Sequence, residues 1–476
     1  MNLTLLLLLW LLSPGSGQTA QNKPQAKPLV INRVTVIDAT GAEAKSDMTV
    51  VITGDRITTI GNAAGVKIPK DAQVVEAAGK FLIPGLWDMH AHIASKDFLP
   101  LFIANGVTGA RDMGGVWETL SLWRKLIKEG RLTGPRIVAS GPIVDGPKPV
   151  WPYSIAVANE KQARLAVTSL KQRGVDFIKV YSLLPREAYL AIADEARKQG
   201  ISIAGHTPYS VSAAEVADAG QKSIEHLDTI MLACSEREED VIKELQDAIK
   251  NPEPLAAVLT VMRARAQSIA DGYDEGKAQE LFARMSKNGV RLCPTLTVQR
   301  AITMLGDSAF TNDPRLKYIP ASIKQGWDPK NDVRMKSFTS EDMDRARESF
   351  QRLLDRVGAI RRAGVELLAG TDTPNPYCFP GFSLHDELAL LVKAGLSPME
   401  ALQVATRDAA KFLGLSDSLG TIEQGKIADL VLLDGSPLAE ITNTQKINAV
   451  VTGGKLIDKA GLQAMLAQAE AAAKRP

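Results

Sequence analysis

Between residues 29 and 80 apolar and polar positions alternate with a period of two, in LVINRVTVID, DMTVVITGDRITTIG and AQVVEAAGK. That period belongs to half-buried strands, and Gly54-Asp55 supplies a tight turn between two of the runs. The stretch reads as a small antiparallel sheet. The same short, punctuated alternation returns over residues 418–458, in GTIEQGKIADLVLLD and INAVVTGGKLID. Isolated hairpins are barely stable in water. The two stretches are therefore expected to complete one small β-sandwich, its first half at 29–80 and its second half at 418–458, with residues 81–417 inserted between them.

Inside the insertion the pattern changes to apolar runs separated by helical stretches, the signature of parallel βα units. Eight runs stand out: GLWDMHAH, GVTGARDM, PRIVASG, DFIKVYS, ISIAGHT, SIEHLD, RLCPTL and VELLAGTD. Eight units predict an α/β protein built on a (β/α)8 barrel of the TIM type. The alternative, an open doubly wound sheet, would carry a glycine-rich phosphate loop after its first strand, and none follows here. Two connections exceed an ordinary βα loop. One, near 229–290, contains the helical patterns EREEDVIKELQDAIK and EGKAQELFARMSKNG. The other, near 297–364, is irregular around Pro314, Pro320, Trp327 and Pro329, then helical in SEDMDRARESFQRLLDRVGAIRRAG with Ser340 placed to cap it. Either insertion suits a lid over a pocket or a homo-oligomer contact. Residues 459–476 read as a C-terminal surface helix.

A hydrophobic share of 45% over 476 residues allows a large core plus a smaller one. Lysine and arginine number 56 against 54 acidic residues, so a formal charge of +2 gives no electrostatic case for nucleic acid or an anionic membrane. The opening MNLTLLLLLWLL is too short for a stable span and runs into Ser13-Pro14-Gly15-Ser16-Gly17. It predicts a signal peptide over 1–20, a spacer over 21–28, and export to the periplasm or the extracellular space. No lysine or arginine precedes the leucines, which leaves an uncleaved anchor as the alternative. Cys234, Cys293 and Cys378 lack CxxC spacing, so neither a zinc ribbon nor a redox pair is expected.

The candidate chemistry collects at the carboxyl ends of the runs, the face where barrels of this type carry their active sites. Strand residues two apart share a face, so His90 and His92 project together with Asp88 beside them. Paired neutral imidazoles are a metal-ligand arrangement. His206 and His226 end two further runs, Lys179 ends DFIKVYS and Asp372 ends VELLAGTD. Singly, each has a plainer reading: a core histidine bonded to backbone, or an aspartate closing a turn. Lys179 is the hardest to explain away, because an unpaired ammonium in a strand buried on both faces is costly. Arg111, Tyr181 and Tyr209 lie near the same face as candidate holders of a substrate carboxylate, although Arg111 equally suits an ion pair with an acidic neighbour. His385, in SLHDEL, is either a substrate contact or a side chain bonding near its helix start.

In order along the chain, LIPGLWDMHAH, GVTGARDM, DFIKVYS, IAGHT, SIEHLD, LAGTDTP, LHDELALLVKAGLSPMEALQVATRDAAKFLGL and GTIEQGKIADLVLLD resemble the metal-dependent amidohydrolase superfamily, in its imidazolonepropionase-like and prolidase-like branch. The resemblance implies one divalent metal ion on His90, His92 and Asp372 and a second on His206 and His226. Lys179 would be carboxylated by carbon dioxide and bridge both. Zinc is the default ion for such ligands. The resemblance further implies attack by a metal-bridging hydroxide, with Asp372 passing its proton to the leaving nitrogen. The expected activity is hydrolysis of a C–N amide or peptide bond in a small molecule, a dipeptide of the Xaa-Pro kind or an N-acyl amino acid. A cyclic amide or lactone hydrolase is the alternative on the same centre. A non-catalytic solute-binding protein, marked by lost ligands, is the alternative of another class.

Overall fold

The computed structural model describes residues 27–475 except 306, 329 and 332–338. The expected signal segment, most of the spacer and Pro329 lie outside the described residues. The chain ends form one sheet from β1 (Leu29–Val36), β2 (Lys45–Thr53), β3 (Arg56–Asn62), β4 (Gln73–Glu76) and β5 (Phe81–Pro84). To these the far end adds β15 (Leu430–Leu433), β16 (Ile447–Thr452) and β17 (Lys455–Ile457), in the order β17-β16-β15-β5-β1-β2-β3 with β4 also on β1. The expected sandwich is thus a single hydrogen-bonded sheet, because β5 pairs both with β1 and with β15, from Leu430 opposite Pro84 to Leu433 opposite Phe81. It is mixed rather than antiparallel. β4 and β5 lie end to end along one edge of β1 and both run parallel to it, β4 against Leu29–Asn32 and β5 against Thr35 and Val36. Leu29, Ile31, Val50, Ile52, Leu82, Leu430, Leu432 and Val451 share one apolar cluster, so one face of the sheet curls about its own core.

The chain leaves β5 through Gly85 and enters the large domain at once. A Cβ at Gly85 would lie 2.1 Å from Thr108 Oγ1, so only glycine lets the two domains approach here. Two parallel sheets follow. The first is β6 (Leu86–Ala91), β7 (Val107–Asp112) and β8 (Arg136–Ala139). The second contains β9 (Val144–Asp145), β10 (Ile155–Ala156), β11 (Ile178–Val180), β12 (Ile203–Gly205), β13 (Ser223–Glu225) and β14 (Arg291–Cys293), ordered β10-β9-β11-β12-β13-β14. Seven of the eight expected runs become parallel strands. The eighth, VELLAGTD, forms no strand. It is held between β14 and β6 by isolated parallel bridges, Leu292 with Leu367 and Ala91 with Thr373, and by Met89 N–H donating to Ala369 O at 2.8 Å. The reason is local: Thr371 N–H and Asp372 N–H both donate to His90 O, at 3.1 and 2.7 Å, which folds the backbone around one carbonyl instead of extending a ladder. At the other seam Asp176 N–H donates to Ala139 O at 3.0 Å.

Helices cover these strands through their apolar stripes. In Glu160–Arg173 the buried positions Ala163, Ala166, Val167 and Leu170 follow the spacing of one helical face. The first long insertion becomes four helices, Asp228–Ala233, Glu238–Ile249, Pro254–Asp271 and Glu275–Lys287. The second carries Leu296–Met304, shorter turns, and Ser340–Arg362. Thr339, not Ser340, caps that last helix. Its extended backbone leaves the hydroxyl free to accept from Asp342 N–H, and Asp342 bonds back in a capping box. The terminal helix Lys459–Ala473 buries Leu462 and Ala469 in the main core, so it seals the domain as well as facing solvent. All three cysteines are buried and unbridged. Among the described residues no helix is long and apolar enough to cross a membrane.

Candidate metal centre

His90 and His92 leave the end of β6, and the loop after Gly370 returns Asp372 to them. Asp372 Oδ1 lies 3.3 Å from His90 Nε2 and 3.2 Å from His92 Nε2, while Oδ2 lies 3.8 Å from His226 Nε2. The His90 and His226 rings are 4.9 Å apart, and His206 meets His226 edge-on at 4.8 Å. Lys179 on β11 is fully buried, and among the described residues its Nζ has no hydrogen-bond partner; nor does His90 Nε2. Asp372 and His226 both hold left-handed backbone angles, φ 58° and 69°, which a non-glycine residue adopts only when its surroundings enforce it. The expected side chains therefore converge, and His90, His92 and Asp372 alone offer three ligand atoms close enough to share one ion.

The far nitrogen of each imidazole is anchored. His90 Nδ1 lies 2.9 Å from Glu225 Oε2 and His92 Nδ1 lies 3.1 Å from Gly114 O. His226 Nδ1 lies 2.6 Å from Thr295 Oγ1, whose own hydrogen is already given to Pro294 O at 2.8 Å. An ionised carboxylate, a carbonyl and a hydroxyl whose hydrogen is committed elsewhere can only accept, so Nδ1 carries the proton in all three rings. Each Nε2 is then the ring atom left to face the centre, the one through which an imidazole anchored in this way binds a metal. His206 Nδ1 meets Ser182 Oγ at 2.8 Å.

Burial sets the electrostatics. It lowers the Lys179 amine to about 8 against the pull of Glu225 and Asp372. It also lowers His226 to about 3, opposed by Asp372, and takes His206 well below its usual value with help from Lys179. Burial pushes the Asp372 carboxyl up, but the surrounding imidazoles outweigh it and leave the group well below the ordinary carboxylate range. Asp88 does not face the centre. It accepts from Thr371 N–H and Oγ–H at 3.1 and 2.7 Å and from His90 N–H at 3.2 Å, tying the Asp372 segment to β6, and burial raises its carboxyl to about 6.

Three of the four substrate-contact candidates lie elsewhere. Arg111 is fully buried, donating to Glu225 Oε1 at 2.8 Å, Ser223 Oγ at 2.9 Å and Met89 O at 2.6 Å, so its guanidinium is committed to the interior and does not face a substrate carboxylate. The acidic partner that the sequence left open is Glu225, not the adjacent Asp112, because side chains next to each other on a strand point to opposite faces. Tyr209 packs beside Leu232, Val241 and Leu245 under the first insertion. His385 is buried between Thr444 Oγ1 and Asn105 O, at 2.9 and 3.0 Å, and links its helix to the terminal segment. Tyr181 does reach the centre, with its ring 4.0 Å from that of His206.

Glu225 is a site residue that sequence reasoning missed. It sits next to His226 in SIEHLD, and an acid inside a strand expected to be buried was the available signal. Arg111 and His90 hold it well below the ordinary carboxylate range against the cost of burial. Replacing Arg111 by alanine removes the guanidinium paired with that buried charge, so a loss of about 3–5 kcal/mol of stability is expected. Denaturant titration checks this, and a loss under about 1 kcal/mol would contradict the pairing.

The donor set suits a divalent cation: three imidazoles whose Nε2 atoms face the Asp372 carboxylate, and the buried Lys179 amine without a hydrogen-bond partner among the described residues. Comparison with known proteins agrees. The amidohydrolase family profile matches residues 81–457. Ochratoxinase of Aspergillus niger is 23% identical over 516 aligned positions, covering 92% of this chain and 90% of that enzyme. Imidazolonepropionase of Pyrobaculum arsenaticum is 44% identical over 79 residues, 16% of this chain and 19% of that one. Among solved structures, bottromycin amidohydrolase superposes with a TM-score of 0.74 at 23% identity, covering 95% of this chain and 92% of the other. A Xaa-Pro dipeptidase with bound methionine gives 0.66 at 21% identity, covering 91% and 100%. With its profile spanning the parallel strands, the centre and the return into the end sheet, the chain belongs to the amidohydrolase family.

Proposed function

We propose that this amidohydrolase is an exported binuclear metalloenzyme that hydrolyses the amide bond of a dipeptide of the Xaa-Pro kind or an N-acyl amino acid, on eight βα units closed as a (β/α)8 barrel. The observation that carries the reading is the set of three imidazole Nε2 atoms gathered around one carboxylate, beside a buried lysine with no hydrogen-bond partner among the described residues. His90, His92 and Asp372 would hold one ion, His206 and His226 a second, and Lys179 would join both as a carbamate. A bound ion pair supplies an acidified water and polarises the scissile carbonyl.

The chain's own groups do the rest. An amine lowered to about 8 is partly unprotonated near neutral pH, the form that adds carbon dioxide and releases a proton. The product is an anion, which removes the cost of a buried cation. Glu225, Gly114 and Thr295 hold the Nδ1 atoms of His90, His92 and His226, which orients these three rings with Nε2 toward the centre. Asp372 has one oxygen against His90 and His92 and the other toward His226, a position from which it takes a proton and returns it to the leaving nitrogen. Trp327, from the second insertion, donates to Pro374 O at 2.9 Å and steadies the loop that follows Asp372.

A solute-binding protein on this fold would be expected to have shed ligands, and all six positions are kept. The test is metal analysis of the chain purified with zinc and bicarbonate, followed by a screen of dipeptides, N-acyl amino acids and lactones at neutral pH. About two ions per chain and amide hydrolysis abolished by a chelator are expected. Absence of bound metal would overturn the reading, and turnover confined to lactones would move it to the alternative substrate class.

A further inference from the structure

The segment GPKPVWPYS, between β9 and β10, carries no motif, yet it leaves two large aromatic side chains in solvent. Trp151 is 36% exposed and Tyr153 44% exposed. Their rings stack at 6.3 Å with an interplanar angle of 18°, a near-parallel aromatic pair partly open to solvent. The pair adjoins the metal centre. Trp151 Nε1–H donates to the Tyr181 hydroxyl at 2.9 Å, and the Tyr181 ring lies 4.0 Å from that of His206. Tyr153 is joined to this arrangement through its stack on Trp151.

The loop is built to hold this shape. The fully buried Asp145 accepts from Gly146 N–H at 2.9 Å, Leu183 N–H at 2.8 Å and Val150 N–H at 2.9 Å. A Cβ at Gly146 would lie 2.1 Å from Leu183 O, so the loop enters at a closeness only glycine permits. Lys148 Nζ donates to Pro252 O at 2.6 Å, which ties the loop to the first insertion. Three prolines, Pro147, Pro149 and Pro152, restrict its backbone further. A preorganised loop that spends its rigidity on exposing two stacked rings is suited to binding, since little entropy remains to be lost when a ligand arrives.

We propose that Trp151 and Tyr153 form the specificity subsite of this enzyme and take an aromatic ring carried by the substrate next to its scissile C–N bond. The inference rests on the hydrolase reading for the bond that is cut, but not for the ring that is held. Parallel aromatic faces favour a third ring by offset stacking or edge contact, beyond what burial of an aliphatic side chain of similar size provides. Tyr181 lies between the subsite and His206, so the ring would sit about one side chain away from the reacting carbonyl. The exposed indole and phenol match a planar apolar group.

The experiment compares kcat/KM for N-acetylphenylalanine and N-acetylleucine, together with calorimetric titration of 3-phenylpropanoate and 4-methylpentanoate, on the full chain loaded with zinc and bicarbonate. Wild type is expected to prefer the phenyl member of each pair by about tenfold. Trp151→Ala and Tyr153→Ala should bring both ratios near unity, mainly through KM, while Trp151→Phe keeps most of the preference without its hydrogen bond to Tyr181. Hydrolysis of amides with no phenyl preference would overturn the subsite and leave the hydrolase reading standing. A phenyl preference in titration with no amide hydrolysis would do the reverse. A preference unchanged in both alanine variants also overturns it.

Discussion

Replacing Asp372 by asparagine is expected to lower kcat/KM on any amide substrate by at least about a thousandfold, with the chain still folded. Two losses combine. An amide cannot accept and return a proton at neutral pH, and a positioned acid–base group is worth about 10²–10⁴-fold. The same change removes the one anion that His90, His92 and His226 share, at 3.3, 3.2 and 3.8 Å. Asparagine is nearly isosteric and remains able to bond, so circular dichroism and the melting temperature should change little. Steady-state kinetics at fixed zinc concentration measures the effect, and activity within tenfold of wild type would remove Asp372 from the chemistry.

Lys179→Ala is expected to have a comparable effect on activity and no cost in stability to the metal-free chain. Without the lysine no carbamate can form, so the variant should retain about half the bound metal or less and lose about a thousandfold in kcat/KM, a barrier change of about 4 kcal/mol. In the metal-free state, however, the amine is a fully buried group without a hydrogen-bond partner among the described residues. Removing it relieves a desolvation cost and leaves a small cavity. The metal-free variant should therefore melt no lower than the metal-free wild type, whereas zinc and bicarbonate should raise the melting temperature of wild type alone. Hydrolysis unaffected by the substitution would end the role of this lysine as a ligand.

The two substitutions separate because each group meets a different need. Asp372 is an anion supported by its neighbours even without an ion, while Lys179 is a cation precursor to which no described residue hydrogen-bonds. Arg111 shows the remaining case, a buried cation with its partners inside the core. With its three hydrogen bonds made to Glu225, Ser223 and Met89, it underpins His90 and contributes to folding rather than to substrate binding.

The sequence by itself determined the features that depend on local periodicity and residue type. Alternation at 29–80 and 418–458 identified strands that proved to share one sheet through β5. Apolar runs ending in His90, His92, Lys179, His206 and His226 placed these side chains at strand ends, because a strand fixes which side chains share a face. Only the tertiary structure decided the directions that depend on partners far along the chain. Arg111 reads as a mouth residue until Glu225, 114 positions away, is seen to accept from it. His385 reads as a site residue until Thr444 and Asn105 enclose it. VELLAGTD reads as a strand until two backbone amides converge on His90 O and turn Asp372 inward. Trp151 and Tyr153 read as loop residues until a hydrogen bond and a ring contact connect them to His206 through Tyr181. Periodicity reports which face a side chain leaves from; what waits for it on that side is set by the packing of distant segments, which no local pattern encodes.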